Sequence, residues 1–278
     1  RLDHPNQWTF LNYNVENLYN KLKDVSFCNY VNKFDFVCLT ETFLDSTFDY
    51  SGLFLDYVKF HAPAKNFSYY GRNSGGVLMM IKKKLSHYVK EIKLNCDNTA
   101  VVKVDKSMFD LDKDVVLIAC YIVPEGGPLY NEKPIKDGIV LLEESLLQQF
   151  GKDEVYFMII GDLNARIGKE QTKQEVMSNF VFNEGCDDLN EVTDARHSKD
   201  AVINNFGQSL LDLCFMFDVF VLNGTCNGDK EGEYTFVSPN GCSVIDYFLI
   251  SDTMLPNFDL CVGDCVDSWH LPVEATWK

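Results

Sequence analysis

The feature that most constrains this chain is the recurrence of short, almost wholly apolar runs closed by turn residues. VVLIACYIV, VYFMII, FVCLT and VLMMI lack the polar alternation of a strand with one wet face. Runs of this kind read as strands covered on both faces, and they are too short to be core helices. A chain with several of them needs two sheets packed together, with helices on the outside, rather than one solvated sheet. Strands are expected at residues 8–13, 36–39, 76–81, 100–104, 115–122, 156–160, 220–222, 244–250 and 270–276. Helices are expected at 18–32, 139–150 and 204–217. In the last of these Phe206, Leu210, Leu213, Cys214 and Phe217 repeat at spacings of three and four.

The polar remainder sets the class. At 278 residues the chain has room for two domains of about 150 residues. However, the long polar stretches at 124–136 and 168–200 are flanked on both sides by core-like strands. One domain spanning 1–278 with two long surface loops is therefore expected, and long loops in compact domains are often functional. Hydrophobic residues make up 46% and charged residues 24%, the balance of a globular protein. The 25 Lys+Arg against 41 Asp+Glu leave a net charge of −16, which argues against holding nucleic acid through a broad basic face. A local cleft or a bound metal escapes that reasoning. Of the ten cysteines, Cys38, Cys120 and Cys214 lie inside apolar runs, and none forms a CxxC pair. Reduced thiols in an intracellular protein are expected. No apolar stretch reaches membrane-spanning length. The start at Arg1, without Met or an apolar leader, reads as an excised domain.

Several apolar strands end in a residue that can do chemistry. FDFVCLTE ends at Glu41, VYFMIIGDLN at Asp162 and Asn164, VIDYFLIS carries Asp246, DSWHLPV carries His270, and LNYNVENL places Asn14 and Glu16 just past the first strand. Taken singly, each reads as a strand-end cap or turn residue. Together they bring carboxylates, amides and an imidazole to one rim of a sandwich, the donor set that a hard divalent cation and a phosphate ester require.

With TETF before GDLN and HLPV after it, the chain resembles the endonuclease/exonuclease/phosphatase superfamily. Within it, the chain is most similar to the apurinic-like endonuclease domains of non-LTR (LINE-type) retrotransposons. LNYNVENL, FVCLTETFL, SGGVLMMI, ACYIVPEGG, IIGDLNARIG, NNFGQSLLDLC, YTFVSPNGCSVIDYFLIS and SWHLPV occur in family order from about residue 8 to 276. The resemblance implies a DNase I-like four-layered α/β sandwich and a Mg²⁺-dependent phosphodiesterase or phosphatase site, with Mn²⁺ as a substitute. Position by position, it implies a metal-binding role for Glu41, with Asn14 and Glu16 nearby. Asp162 would position or deprotonate the attacking water, and Asn164 would orient Asp162 and touch phosphate. Tyr121 matches the family tyrosine, with one extra residue before Pro124, and Asp246 would fix the tautomer of His270. Thr235 matches a threonine near the scissile phosphate or is an ordinary strand threonine. Asn205 lies where relatives approach nucleic acid, with helix capping as the plainer reading for it and for Asn204. Arg72 in GRNSGG is the better phosphate-contact candidate, and the Lys82–Lys84 run reads as a solvated strand end. His61, His87 and His197 are expected on the surface.

One departure stands at the last motif. Family members read Ser-Asp-His, whereas this chain reads Ser268-Trp269-His270. Trp cannot ligate Mg²⁺, which puts a second metal in doubt, and Asp264 or Asp267 are the nearby replacements. Three readings compete: a tolerated substitution, an active enzyme with Trp269 and Ser268 against DNA, and a weakened binding module. The expected function is Mg²⁺-dependent nicking of one strand of duplex DNA, leaving 3′-hydroxyl and 5′-phosphate. In a retrotransposon that end would prime reverse transcription, with a reverse transcriptase domain beyond Lys278 and action in the nucleus. The alternative is a phosphatase or phosphodiesterase acting on another phosphate ester.

Overall fold

The first strand, β1 (Trp8–Asn14), shows how the chain builds its layers. The computed structural model describes residues 7–66, 73–132, 135–171, 196–264 and 268–278. Along β1, Phe10 joins the cluster of side chains between the two sheets, whereas Leu11 and Tyr13 join a second cluster on the outer side. The same period-2 alternation divides β2 (Phe36–Thr40) and β4 (Val77–Lys82): Phe36, Cys38, Val77 and Met79 face inward, and Val37, Leu39, Leu78 and Met80 outward. Both faces are apolar because both are covered.

The remaining strands are β3 (Tyr57–Ala62), β5 (Val89–Ile92), β6 (Thr99–Val104), β7 (Val115–Tyr121), β8 (Tyr156–Asp162), β9 (Val219–Val221), β10 (Phe236–Ser238), β11 (Gly241–Ser243), β12 (Asp246–Ser251), β13 (Phe258–Val262) and β14 (Val273–Trp277). One six-stranded sheet runs β13-β14-β1-β2-β4-β3 and the other β5-β6-β7-β8-β12-β9, with β10-β11 a separate hairpin. Each large sheet has one parallel pair at its centre, β1–β2 and β7–β8, and antiparallel pairs elsewhere. Helices α1 (Leu18–Lys21) and α2 (Val25–Val31) cover the first sheet through Leu18, Phe27 and Val31. Helices α3 (Gly138–Phe150) and α4 (Asn205–Phe217) cover the second through Ile139, Leu142, Leu146, Phe206, Leu210 and Leu213. The result is the expected four-layered α/β sandwich.

Local differences from the expectation have local causes. The helix expected at 18–32 is two helices, because Asp24 is extended (φ −92°, ψ 113°) and its carboxylate accepts from the Ser26 N–H at 2.7 Å, which caps a new helix. β3, β5 and β13 escaped the periodicity because YVKFHA, VKEI and FDLCV are part-exposed outer strands with charges interleaved. The last strand begins at Val273, after Pro272, which has no N–H to give a ladder; His270 makes a separate antiparallel bridge to Phe236. Cys38, Cys120 and Cys214 are buried free thiols, and Met79 and Met80 are core. No helix among the described residues is long and apolar enough to cross a membrane.

Candidate active site

Strand register assembles the site. In the second sheet Tyr121 of β7 pairs with Asp162 of β8, and Asp162 pairs with Asp246 of β12, so three site residues stand in one row. In the first sheet Asn14 of β1 pairs with Thr40 of β2, and Glu41 follows immediately. Because Asn14 shares the inward face with Phe10 and Asn12, its amide crosses to the other sheet and donates to Asp162 Oδ2 at 2.9 Å. Asp162 Oδ1 accepts the Asn164 N–H at 3.0 Å, and the Asn164 side chain donates to the Ile122 carbonyl at 2.9 Å. The Tyr121 hydroxyl donates to Glu41 Oε1 at 2.5 Å. His270 Nδ1 lies 2.9 Å from Asp246 Oδ2, which makes it the protonated nitrogen facing the carboxylate, and Nε2 lies 3.9 Å from Asp162 Oδ2.

Three rim residues occupy the left-handed backbone region: Glu16 (φ 45°), Glu41 (φ 49°) and Asn164 (φ 47°). Non-glycine residues avoid that region, and the two glutamates gain nothing locally from it. Such strain concentrates where side chains must be aimed. At Glu41 it turns the chain off β2 so that its carboxylate meets Tyr121.

The electrostatics are those of a site short of positive charge. Burial, then the Asp246 carboxylate, push the Asp162 carboxyl well above the usual carboxylate range, with His270 and the Asn14 amide opposing and Glu41 adding to the rise. For His270, burial by itself would lower the pKa, but the Asp246 carboxylate overrides this and holds the imidazole up at about 10. Burial and the adjacent Glu41 likewise raise the Tyr121 hydroxyl. Ligand atoms of Asp162, Asp246 and His270 lie within 4.8 Å of one another, and buried Asp246 Oδ1 has no hydrogen-bond partner; with His270 protonated, what this cluster offers a cation is its carboxylate oxygens, next to those of Glu41. Hard oxygen donors in negative excess fit a divalent cation such as Mg²⁺.

The other candidates are placed differently. Glu16 Oε2 accepts the Ser268 hydroxyl at 2.8 Å and the Trp269 N–H at 2.9 Å, so this carboxylate ties the end of β1 to the segment that carries His270. Thr235 is fully buried, and its Oγ1 accepts the Ile245 and Asp246 N–H groups, both at 3.0 Å; it supports Asp246 from behind. Asn204 caps α4 through Gly207, and the exposed Asn205 donates to Glu125 at 2.8 Å. Trp269 is exposed beside the site, and Asp264 is exposed as well. Lys84 pairs with Asp35 at 2.8 Å, and His61, His87 and His197 are exposed. Arg72 and Asp267 lie outside the described residues, as does 172–195 of the long loop.

Some supporting residues were not singled out from the sequence. Asn12 donates to the Gly161 carbonyl at 3.1 Å and bridges the sheets beneath Asp162. Asn223 donates to the Asp246 carbonyl at 3.1 Å and accepts the Phe248 N–H at 3.1 Å. Asn204, expected as a helix cap, also accepts the Arg166 N–H at 2.9 Å and donates to the Asn164 carbonyl at 3.3 Å. The available signal was an amide inside an apolar run, as in LNYN and VLNG, where burial demands a partner.

Comparison with solved structures places the fold. The AP endonuclease LMAP from Leishmania major aligns with TM-score 0.68 at 15% identity, covering 98% of this chain and 88% of that one. The 3′-5′ exonuclease NExo from Neisseria meningitidis aligns with TM-score 0.64 at 16% identity, covering 97% and 99%. The endonuclease domain of TRAS1, a telomere-specific non-LTR retrotransposon, aligns with TM-score 0.58 at 17% identity, covering 98% of each. Among curated protein sequences nothing matches. The family comparison is of a different kind, because it spans residues 11–268 and so takes in both sheets and all the residues from Asn14 to Ser268 that meet at the rim. By that match the chain belongs to the Endonuclease/Exonuclease/phosphatase family.

Proposed function

We propose that residues 1–278 act as one domain, an Mg²⁺-dependent endonuclease that nicks one strand of duplex DNA. The observation that carries this reading is the Asp162 carboxylate, buried, held by Asn14 and Asn164, and facing the Nε2 of an imidazole backed by Asp246. With one oxygen on the Asn14 amide and the other on the Asn164 N–H, Asp162 is oriented to accept a proton from a water attacking phosphorus. His270, kept cationic by Asp246, presents Nε2–H to a phosphoryl oxygen as negative charge grows there. The water oxygen bonds to phosphorus as its proton passes to Asp162, and the P–O3′ bond breaks, with a solvent proton passing to O3′. The products are a 3′-hydroxyl and a 5′-phosphate. Tyr121 holds Glu41 in place, and Asn164 is positioned beside the phosphate. Glu41 and Asn14, with Glu16 alongside, would hold the cation, which when bound supplies Lewis-acid neutralisation of the phosphate. The likeness to a retrotransposon endonuclease domain supports the further reading that the new 3′-hydroxyl primes reverse transcription in the nucleus, by a domain fused beyond Lys278.

Asp162→Ala, Asn164→Ala and His270→Ala are each expected to reduce nicking of supercoiled plasmid in Mg²⁺ by about 100-fold or more, the scale of losing general acid–base or oxyanion contacts, with circular dichroism unchanged. Nicking within tenfold of wild type in all three variants would sink the mechanism. Hydrolysis of a non-DNA phosphate ester at the same site is the second reading, favoured by the net charge of −16.

A further inference from the structure

Trp269 is the residue that separates this site from its family pattern, and the structure shows it held in place yet uncovered. Its N–H donates to Glu16 Oε2 at 2.9 Å and its carbonyl accepts the Val237 N–H at 2.8 Å. On either side of it, the Ser268 hydroxyl is bound to Glu16 and the His270 ring to Asp246. Its backbone is therefore fixed from both directions, while the indole stays 50% exposed. The antiparallel bridge Phe236↔His270 puts Val237 directly opposite Trp269, and Val237 is itself 41% exposed. Residues directly opposite in such a pairing lie side by side, so the two form one apolar ridge, one residue away from the imidazole that faces Asp162.

Near Asn204, on the far side of the site, one described cation is already committed. The Arg166 guanidinium is taken by both oxygens of Asp200, at 2.8 and 2.6 Å. The residues there that reach solvent include Val202 and Ile203, just before the Asn204 that holds Asn164. A polyanion approaching a chain of charge −16 needs a contact that does not depend on charge. The flat face of an indole offers one to any nucleobase not already stacked between neighbours.

We propose that Trp269 is a substrate-positioning residue that stacks on an unpaired nucleobase beside the scissile phosphate. The preferred substrate is then DNA with a bulged, gapped or frayed nucleotide at the cut, rather than continuous duplex. This rests on the nuclease reading above and names its substrate class. The ridge supplies the stacking surface, and the tether to Glu16 sets the distance between the stacked base and His270.

Two measurements test it. The other tryptophans, Trp8 and Trp277, are 9% and 6% exposed, so quenching of tryptophan emission by a stacked base reports on Trp269. In Asp162→Asn protein with Mg²⁺, a single-stranded oligothymidylate is expected to quench the emission, and adding Trp269→Phe is expected to remove that quench. In cleavage, wild type is expected to prefer duplex with one unpaired base at the cut by about tenfold or more in kcat/KM, the scale of one base–aromatic stack. Trp269→Ala is expected to erase that preference, with the loss carried by KM rather than kcat on the unpaired-base substrate, and Trp269→Phe to restore it. If both the preference and the quench survive the loss of the indole, the proposal is overturned. If wild type hydrolyses bis(p-nitrophenyl) phosphate but no DNA, the nuclease reading fails instead. The fluorescence measurement then still decides: a quench lost with Trp269→Phe upholds stacking, and an unchanged quench overturns it.

Discussion

Glu41 reaches the Tyr121 hydroxyl at the expense of its backbone. At φ 49° it sits where a side chain is disfavoured and glycine is not. Glu41→Gly and Glu41→Ala both remove the carboxylate and leave the Tyr121 hydroxyl without its acceptor, so comparing the two isolates the strain. The glycine variant is expected to be more stable by about 1 kcal/mol, or about 2–4 °C in melting temperature, with both inactive. Equal melting temperatures would show that the left-handed turn costs nothing. His270 gives a second test at this scale. Its folded pKa of about 10 stands above the ordinary value of 6.5. In metal-free protein the imidazolium therefore contributes its full stability below about pH 6.5 and loses it as the pH rises through about 10. Asp246→Asn removes the largest of the charges that raise it, leaving those of Asp162 and Glu41. The NMR titration midpoint of His270 is expected to fall by about one to three units, with the alkaline loss of stability starting correspondingly earlier. An unchanged midpoint would remove Asp246 from its assigned role.

Among the elements, the parallel pair β7–β8 depends on one glycine. A Cβ at Gly161 would stand 1.8 Å from the Cys120 carbonyl oxygen, a backbone atom that cannot swing aside. The next residue along β8 is Asp162, which stands in one row with Tyr121 and Asp246 at the candidate site's edge of the sheet. Gly161→Ala is expected to cost about 1–3 kcal/mol or more. It should also lower nicking at temperatures where the protein stays folded, because any shift of β8 moves Asp162 relative to Asn14. Full activity with an unchanged melting temperature would contradict the close approach. The same dependence explains why the amides Asn12, Asn204 and Asn223 matter: each bonds to backbone of a strand or turn that carries a side chain of the candidate site.

For the whole molecule, net charge decides how the site meets a substrate. Much of the −16 is ordinary surface, but Glu41, Asp162 and Asp246 are part of the site itself. Each phosphate neutralised by Lys or Arg adds about 0.9 to the slope of log affinity against log salt. A chain relying on a few local cations and a stacking indole is expected to show a slope shallower than about −5 for DNA. A steeper slope would demand a basic surface, and a flat one would favour a phosphate ester other than DNA.

Much of this was legible in the linear order of residues. Runs such as VVLIACYIV and VYFMII required covered strands, and chemical residues at the ends of several strands marked the rim, because an apolar strand gives way to Glu, Asp or His where the core ends. The helix break at Asp24 and the outer strands β3, β5 and β13 were not legible, since short part-exposed segments carry weak periodicity. What the sequence determined by itself was the two-sheet, four-layer architecture and the set of polar residues at its rim, since burial and alternation are properties of neighbours along the chain. What only the tertiary structure decided was who holds whom: Glu16 on Ser268 and Trp269, Thr235 behind Asp246, and Asn14 across the sheets on Asp162. Those bonds join residues up to 253 positions apart. They depend on strand register and left-handed turns, where a shift of one residue would turn every side chain to the other face.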